Sequence, residues 1–380
     1  MKKKRKNYWC LKIRSAIRNI DFRYIRRNGA VLFCSILKKI RRKVIERKNG
    51  IPIPASVFIY ITQECNLECE GCISSGYSKT SSMTSDLLER TIFECLKLSI
   101  NSIIILGGEP MLETPLSQIL TLMENSHKLR RTNFNIVTNG TTIDNKLIQK
   151  LIKHPNLLLF ISLDGSEATH NLRRGVDSYK KTKTAMLLLK SHGIPFITIT
   201  TVSRQNYCEI LDSKFVSLCL SLGSVGMVFL PYLVSGCDKD NLFSLTLKEW
   251  KNTVRGITKL KDEYPDVIIA DIFSDEMFFS GCRAATRSIA IATDGSVQVC
   301  PVLMVAADKL NNENTLLECL KSPFFSHVRA IKKKAPRECL IMNSKEELQE
   351  YIKEAMNGVN ETSDTASIVL EQGFTHYISK

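Results

Sequence analysis

The amino-acid sequence predicts an α/β protein whose parallel sheet curves into a partial (β/α)6 barrel of the TIM type. Two observations predict this fold. Six runs of strand length recur along the middle of the chain, each followed by a stretch of helical length, and these runs are apolar almost without interruption. Strands without polar alternation are buried on both faces, as in a parallel sheet covered by helices. We also expect a small α+β domain after the barrel and a basic helical segment before it.

The barrel is expected over residues 55–236. Its six strands are expected at 56–62, 102–108, 134–140, 157–165, 196–202 and 226–232. Its helices are expected at 84–99, 114–128, 144–153, 178–193 and 209–223. Residues 215–237 carry no charge, but Gly223, Gly226 and Pro231 divide this stretch into the end of a helix and a strand. We therefore assign it to the barrel and not to a membrane span.

Residues 1–54 form a basic segment in which two amphipathic helices are expected, at 11–27 and 33–44. The first 50 residues hold 18 Lys and Arg against two acids, and the rest of the chain holds 35 against 36. The net charge of +15 therefore belongs to this segment, so no nucleic-acid partner is expected for the folded body. The uncharged run at 30–37 is far shorter than the ~20 residues that span a bilayer. The segment either lies on the anionic inner face of a membrane or packs on the barrel with its charges in water.

The pattern changes after residue 237, and a small α+β domain is expected over 237–345. It contains a helix at 245–264, a strand at 266–273 and a hairpin between 288–293 and 296–300. Asp294-Gly295 is a dipeptide favoured in type I′ hairpin turns, and the hairpin is expected to bring Cys282 and Cys300 towards each other. Residues 346–380 complete a C-terminal helix and tail, whose helix begins with a capping box at Ser344 and Glu347.

Thirteen cysteines occur in the chain. The absence of a secretory signal pattern at the start argues against a disulfide scaffold, and the expected compartment is the reducing cytoplasm. Cysteines that stand singly among apolar residues are expected to behave as small core residues. They are Cys10, Cys34, Cys95, Cys208, Cys219 and Cys319.

Three cysteines follow the first expected strand within "TQECNLECEGC", at Cys65, Cys69 and Cys72. A structural zinc site normally has four ligands, and no other Cys or His lies between residues 60 and 94. Three thiolates can hold three irons of a four-iron cluster and leave the fourth iron open. The spacing Cys-x3-Cys-x2-Cys directly after a first barrel strand resembles the radical S-adenosylmethionine (radical SAM) superfamily.

Further motifs carry the same resemblance at later strand ends. They are "LGGEP" at 106–110, "VTNG" at 137–140, "ISLDG" at 161–165 and "THNLRRG" at 169–175. The resemblance implies a 4Fe–4S cluster and S-adenosylmethionine as cofactors. It implies cofactor-binding roles for Gly107, Gly108, Glu109, Asn139, Ser162, Asp164 and Arg174.

Within that set, the resemblance places Gly107, Gly108 and Glu109 near the cofactor amine and Arg174 near its carboxylate. Simple turn chemistry before Gly165 is the alternative for Ser162 and Asp164, and a helix-entry acid is the alternative for Glu109. The chain departs from the family pattern at two positions. Gly71 stands where the family usually has an aromatic residue, so the adenine contact is expected from Ile73 or from backbone, and Asn171 replaces an aspartate.

The C-terminal segment resembles the SPASM and twitch extensions of that superfamily. Cys282, Gly295 and Cys300 fit the start of their pattern, and Cys339 is the expected third ligand, with Cys237 and Cys319 as weaker candidates. This resemblance implies an auxiliary 4Fe–4S cluster. The alternatives are thiols in a hairpin core that hold no metal, or zinc.

The resemblance implies reductive cleavage of S-adenosylmethionine to a 5′-deoxyadenosyl radical that takes hydrogen from a substrate. It also implies an electron donor such as a flavodoxin or ferredoxin. The substrate is not identified by the sequence, and both a lipid or small molecule and a peptide are open. No catalytic base is assigned, since Asp271 and Asp275 are weak candidates. The alternative from another class is an iron–sulfur redox sensor or scaffold without turnover.

Overall fold

A computed structural model describes residues 37–76, 81–100, 102–232, 242–271, 283–302 and 305–334. Its strands are β1 (Ser56–Thr62), β2 (Ser102–Gly107), β3 (Asn133–Thr138), β4 (Leu157–Ser162), β5 (Phe196–Val202), β6 (Ser224–Pro231), β7 (Ile268–Asp271), β8 (Ser288–Ile291), β9 (Ser296–Gln298) and β10 (Asp308–Lys309). They form one ten-stranded sheet in the order β10-β9-β8-β1-β2-β3-β4-β5-β6-β7.

Eight neighbouring strands, from β8 through β1 to β7, are parallel, and β9 and β10 add antiparallel pairs at one edge. This confirms the α/β fold with a parallel, barrel-like sheet. All six expected strands are present, and the bounds of β1 and β5 are those expected. The sheet also continues into the segment after residue 237, because β7 pairs with β6 and β8 pairs with β1.

Side chains alternate in burial along the strands, as a two-residue period requires. The outward-facing ones, such as Ile59, Ile105 and Ile136, are fully buried under the helices, and each contributes about 1.5–3 kcal/mol by leaving water. On the other face of the sheet, Tyr60 and Ala290 form a second, smaller apolar cluster. The barrel therefore has its main core between sheet and helices and an inner face with a separate cluster.

The helices of the described residues lie before, between and after the strands. They are α1 (37–49), α2 (Ser85–Lys97), α3 (Glu113–Asn125), α4 (Asn145–Leu151), α5 (Glu167–Arg174), α6 (Ser178–Ser191), α7 (Tyr207–Ile210), α8 (Ser213–Ser221), α9 (Leu247–Glu263), α10 (Leu316–Lys321) and α11 (Pro323–Lys334). Side-chain caps explain where several begin, because Thr84 and Asp144 accept backbone N–H groups and Thr246 forms a capping box with Glu249. The uncharged stretch at 215–237 contains α8 and β6, as expected.

The hairpin of β8 and β9 is confirmed, but its turn is not of type I′. That type requires a positive φ at both central residues, whereas at this turn only Gly295 has one, at +90°. Gly295 N–H donates to the Ala292 carbonyl and Ala292 N–H to the Ser296 carbonyl, both over 2.9 Å. The strand register therefore leaves a longer loop, with Gly295 in the left-handed position after a tight turn.

The expectation for the single cysteines is confirmed at three positions and wrong at one. Cys95, Cys219 and Cys319 are buried, whereas Cys208 is exposed. The reason is that α7 is one turn long and buries only Ile210, which leaves the side chain of Cys208 outside. Cys10, Cys34 and the helix expected from Ser344 lie outside the described residues.

Helix α1 is attached to the body near the amino ends of the strands. Lys38 Nζ donates to Thr132 Oγ1 over 3.0 Å, and the Ile53 N–H donates to Glu46 Oε1 over 3.1 Å. The rest of the basic segment, residues 1–36, lies outside the described part of the chain. Within the described residues, no helix has the length and apolar character that crossing a bilayer requires.

Candidate functional site

The three clustered cysteines lie on the loop that follows β1. Cys65 is exposed, and Cys69 and Cys72 are partly buried. The loop turns sharply, since Cys72 N–H donates to the Cys69 carbonyl over 3.2 Å and Gly71 has a φ of +57°. Although Cys65 is exposed as a residue, loss of water around its sulfur raises the pKa of this thiol to about 11, and burial raises the pKa of Cys69. These two thiols are therefore protonated at neutral pH, and a metal that binds them displaces protons.

Side chains from the loop after β3 hold the first part of this cysteine loop. Asn139 Nδ2 donates to Asn66 Oδ1 over 2.9 Å, and Asn66 Nδ2 donates to Thr141 Oγ1 over 2.8 Å. The Asn139 side chain also accepts from Thr141 N–H over 2.8 Å. Asn139 therefore lies beside the cysteine loop and fixes the residue directly after Cys65.

A buried ion cluster lies under the second part of the loop. Asp164, at the end of β4, is 1% exposed. Its Oδ2 accepts from Arg174 Nε over 2.5 Å and from Arg173 Nη1 over 2.9 Å, and its Oδ1 accepts from Thr201 N–H over 2.9 Å. The Glu70 N–H donates to the Arg173 carbonyl over 2.8 Å, which joins this cluster to the loop between Cys69 and Cys72.

The charges of this cluster shift one another's ionisation. Burial alone would raise the pKa of Asp164, but Arg174 and Arg173 outweigh it and hold the pKa of this carboxyl well below its usual range. Burial would lower the pKa of Arg174, yet Asp164 outweighs it and raises this pKa. Both arginines also oppose the effect of burial on the pKa of Cys69. The cluster therefore places positive charge beside a thiol that must ionise to bind metal.

Glu109 is buried in a hydrogen-bond network of its own. Its Oε1 accepts from Thr138 Oγ1 over 2.7 Å and from the Met111 N–H over 2.8 Å, and its Oε2 accepts from the Asn139 N–H over 2.8 Å. Burial raises the pKa of Glu109, and the donors from Thr138, Asn139 and Met111 oppose that rise. In this structure the carboxylate joins the end of β2 to the end of β3.

Gly107 and Gly108 bring the end of β2 against the backbone that leads into the cysteine loop. A Cβ atom at Gly107 would lie 2.1 Å from the Thr62 carbonyl oxygen, and one at Gly108 would lie 2.0 Å from the Glu64 carbonyl oxygen. The N–H of Gly108 donates to the Thr62 carbonyl over 2.7 Å. The contact that requires glycine here is therefore with this chain's own backbone.

The remaining residues of the "ISLDG" and "THNLRRG" motifs take structural positions. Ser162 ends β4 and is 5% exposed. His170 Nδ1 accepts from the Asp164 N–H over 3.2 Å, and burial followed by Arg174 lowers the pKa of His170 to about 4. Asn171 Oδ1 accepts from the Tyr179 N–H over 3.0 Å, so this side chain fixes the start of α6. The motif itself forms α5, a helix that the sequence pattern did not predict.

Two residues near the departure at Gly71 differ in what they contact. Ile73 packs against the inner-face cluster of Tyr60 and Ala290. Tyr232, which follows β6 and is 1% exposed, lies against Gly71 so closely that a Cβ atom there would be 1.6 Å from the Tyr232 hydroxyl oxygen. The space of a side chain at position 71 is therefore filled from the other side of the barrel.

The C-terminal candidates are only partly within the described residues. Cys300 follows β9, is partly buried, and its Sγ accepts from the Val302 N–H over 3.5 Å. Cys282, Cys339, Cys237 and Asp275 lie outside the described part. Cys319 is buried in the main core on α10, and Asp271 pairs with Lys261.

Asn66, Thr138, Arg173 and Tyr232 were given no role by the sequence. Arg173 lies within the quoted "THNLRRG" motif and Asn66 within "TQECNLECEGC", so membership of a motif was the signal available for both. Thr138 is the last residue of its strand. Their contacts join loops after different strands, and such contacts cannot be read from local patterns.

The three thiols of the cysteine loop are the donor type that a 4Fe–4S cluster uses. Among the residues that the structure describes, no three His, Cys, Asp or Glu side chains are placed to hold one metal ion. In a 4Fe–4S cluster each thiolate binds a different iron, and thiolates are the usual ligands. Cys65, Cys69 and Cys72 come from one loop, with the cations of Arg173 and Arg174 beside Cys69. These residues fit such a cluster.

Known proteins are similar to this chain in sequence and in fold. Residues 59–214 match the family model described as the Radical SAM superfamily. The chain is 26% identical over 280 residues to the cysteine-type anaerobic sulfatase-maturating enzyme of Clostridium perfringens, covering 65% of this chain and 74% of that protein. It is 30% identical over 169 residues to the AdoMet-dependent heme synthase of Methanosarcina barkeri, covering 43% of this chain and 47% of that protein.

Among solved structures, SuiB of Streptococcus suis bound to the precursor peptide SuiA superposes with a TM-score of 0.64 at 19% identity, covering 76% of this chain and 70% of that chain. At this identity the likeness shows the fold alone. The chain spans about half the length of the first curated relatives that it matches. Residues 59–214 of this chain therefore match a radical SAM domain.

Proposed function

We propose that this protein is an enzyme that holds a 4Fe–4S cluster on Cys65, Cys69 and Cys72 and binds S-adenosylmethionine at the open iron. When bound, the cluster supplies the electron that cleaves S-adenosylmethionine to methionine and a 5′-deoxyadenosyl radical, which takes a hydrogen atom from the substrate. One observation carries the proposal. The three thiols share a loop at the carboxyl ends of parallel strands, where barrels place their functional groups, and buried polar groups of neighbouring loops hold that loop.

Different residues of the chain position the cysteine loop and the cofactor. Asp164 keeps Arg173 and Arg174 in fixed orientations, so their charge favours thiolates in the cysteine loop without reorganisation. Arg174 is the residue proposed to meet the cofactor carboxylate. Gly107 and Gly108 bring backbone groups close to the loop.

Three further roles are part of the proposal. Glu109 fixes the end of β3 and offers its carboxylate edge towards the cofactor amine. Asn139 and Ser162, at the ends of β3 and β4, are proposed to contact the cofactor from the same side of the barrel.

An auxiliary 4Fe–4S cluster on Cys282, Cys300 and Cys339 is a further part of the proposal. The support within the described residues is the hairpin that ends at Cys300, together with the Ala285 N–H that donates to the Val299 carbonyl over 2.8 Å. This bond brings the chain that follows residue 282 beside the residue that precedes Cys300. The hairpin-core and zinc alternatives differ from this proposal in iron content.

The substrate class proposed is a peptide or protein. The similar proteins include a sulfatase-maturating enzyme and SuiB, whose structure contains a precursor peptide, and these favour such a substrate over a lipid. The heme synthase relative makes a small molecule the main competing class. The electron donor proposed is a flavodoxin or ferredoxin, because the cluster needs single electrons at low potential.

Peripheral membrane association of the basic segment is proposed from α1. Leu37, Ile40 and Val44 are 51%, 58% and 58% exposed on this helix, and Lys and Arg residues flank them. Exposed apolar residues among cations suit an anionic bilayer surface. Flotation of the full chain with vesicles that contain phosphatidylglycerol tests this, and the absence of binding at physiological salt would contradict it.

The central experiment is anaerobic reconstitution with iron and sulfide, followed by incubation with S-adenosylmethionine and a strong reductant. We expect the visible charge-transfer absorbance of an iron–sulfur cluster and the formation of 5′-deoxyadenosine. Replacing Cys65, Cys69 and Cys72 together with alanine should abolish both. The matched control is Cys208→Ala, because Cys208 is exposed and lies far along the chain from the loop.

Two outcomes would contradict the proposal. Failure of the wild-type chain to bind iron would remove the cluster on which the chemistry depends. A fully loaded cluster that gives no 5′-deoxyadenosine would favour a redox sensor or scaffold over an enzyme.

A further inference from the structure

The cysteine loop crosses the mouth of the barrel and is held at its far side by one aromatic residue. The loop starts at the end of β1. Hydrogen bonds hold it to the segments that follow β3 and β4. Tyr232 follows β6, five strands further along the sheet from β1. Contact between Tyr232 and Gly71 therefore joins opposite sides of the mouth.

The fit between these two residues leaves no room for a side chain at position 71. A Cβ atom built on Gly71 would lie 1.6 Å from the Tyr232 hydroxyl oxygen and 2.3 Å from the ring carbon Cζ. Real Cβ atoms do not approach other atoms so closely, so the tip of the ring rests on the backbone of Gly71. Gly71 also has a φ of +57°, which favours glycine independently.

The ring itself is held in place from behind. The Tyr232 N–H donates to the Val202 carbonyl over 2.8 Å, which fixes the backbone to the end of β5. The ring packs against Phe243, with centroids 5.6 Å apart, and the residue is 1% exposed. A buried ring with a fixed base and a packed face has little freedom to withdraw from the loop.

We propose that Tyr232 is a positioning residue that clamps the turn between Cys69 and Cys72 and so sets the separation of these two cluster ligands. The clamp works by shape, since the phenol fills the space that any side chain at position 71 would occupy. The proposal rests on the proposed function only for the purpose of the cysteines. The contact between Tyr232 and Gly71 is present in the protein without a bound cluster.

The first test uses the apo-protein and measures the rate at which iodoacetamide modifies Cys69 and Cys72, read by mass spectrometry with exposed Cys208 as internal reference. Tyr232→Ala should speed modification of both thiols about tenfold, because the turn then opens more often. Tyr232→Phe, which keeps the ring, should stay within about twofold of the wild type. Tyr264→Ala is the matched control, since Tyr264 lies at the end of α9 and its loss should leave both rates unchanged.

The second test is a double-mutant cycle between the two residues. Gly71→Ala in the wild-type background should speed thiol modification about tenfold, whereas in the Tyr232→Ala background it should add only about twofold, because the clash is gone and only the positive φ remains. After reconstitution, the electron paramagnetic resonance spectrum of the reduced cluster should change in Tyr232→Ala and not in Tyr232→Phe.

The proposal is overturned if Tyr232→Ala leaves both thiol rates within twofold of the wild type, or if Gly71→Ala has the same effect in both backgrounds. These outcomes are independent of turnover. If the protein binds no cluster but the modification rates of Cys69 and Cys72 show the expected coupling between Tyr232 and Gly71, the proposed function is wrong and the positioning role of Tyr232 still holds.

Discussion

The two regions that carry candidate cluster ligands are held together in different ways. At the ends of β1 to β4, buried polar side chains bind one another, as Asp164 does with Arg173 and Arg174. At the C-terminal edge, Cys300 follows a hairpin formed by backbone pairing between two short strands whose residues are all buried. A buried polar network fixes geometry at a high cost if any member is lost, whereas a paired hairpin is part of the sheet in its own right. The first region is therefore built around its site, and the second is built as an extension of the sheet.

The largest effect expected from this difference is on cluster content. Cys72→Ser should remove the first cluster and abolish 5′-deoxyadenosine formation, because three thiolates from one loop leave no spare ligand. Cys300→Ser should lower iron from about eight to about four atoms per chain and leave the first cluster in place, since a 4Fe–4S cluster holds four irons. Iron and sulfide analysis with product detection measures both.

The comparison fails if the wild-type chain binds only about four irons and Cys300→Ser does not change that number. The C-terminal region would then be a sheet extension without metal. Cys319→Ser serves as the control variant, because that thiol is buried in the main core and its replacement should leave the iron content unchanged.

The next effect tests the buried ion cluster. Asp164→Asn should lower the free energy of unfolding by about 3–5 kcal/mol, because it leaves two buried guanidinium groups without their carboxylate. The pKa of Asp164 is depressed, so its contribution is full above the usual pKa of about 4 and is lost only as the pH falls below it. Denaturant unfolding of the apo-protein at neutral pH measures the change.

Asp177→Asn is the matched control for this substitution. Asp177 also pairs with a cation, Lys180, but both side chains are more than 60% exposed, and exposed pairs contribute little. An equal loss of stability in the two variants would show that the buried ion cluster contributes no more to stability than an exposed ion pair.

A third effect is the pH dependence that buried His170 imposes on the same region. Burial and Arg174 lower its pKa to about 4, whereas an unfolded chain has the ordinary value of about 6.5. Between these values the unfolded chain binds more protons, so stability should fall as the pH falls from 6.5 to 4, by about 3 kcal/mol in total. His170→Gln should flatten this part of the curve, which unfolding titrations at several pH values measure.

The matched control for the pH experiment is His192→Gln. That ring lies at the exposed end of α6, and its replacement should leave the slope between pH 4 and 6.5 as in the wild type. If His170→Gln keeps the wild-type slope, another group causes the pH dependence of stability. The interpretation that His170 is buried in its neutral form would then be wrong.

The sequence predicted the strands well and the site contacts less well, for a physical reason. An apolar run such as that of β1 records burial on both faces, which is local information, and its bounds were recovered. Helix α5 was not predicted, because its buried residues are the polar side chains His170, Arg173 and Arg174. It therefore has no apolar stripe that a sequence pattern could reveal. The turn at Gly295 was assigned the wrong type because the dipeptide favours one turn while the strand register selects another.

Most of the candidate cofactor-binding residues proposed from the sequence lie at or next to strand ends, which a parallel barrel brings together, and Arg174 lies at the end of α5. Partners contributed from other loops could not be predicted. The contact of Asn66 with Asn139 spans 73 positions, and the contact of Gly71 with Tyr232 spans the barrel mouth. Both depend on where loops meet in the folded protein, and no local pattern records that.

The smallest effect expected concerns the hydrogen bonds that tie the cysteine loop to the loop after β3. Asn66→Ala removes a donor to Thr141 and an acceptor for Asn139, and each such bond contributes about 0.5–1.5 kcal/mol. Because Asn66 is exposed, we expect a loss near the lower end, and a coupling between Asn66→Ala and Asn139→Ala of similar size in a double-mutant cycle. Asn49→Ala is the control, since Asn49 bonds only to the Ile45 carbonyl of its own helix among its contacts in the described residues. Additive losses for Asn66 and Asn139 would mean that the loop is held by the arginine cluster and Tyr232 alone.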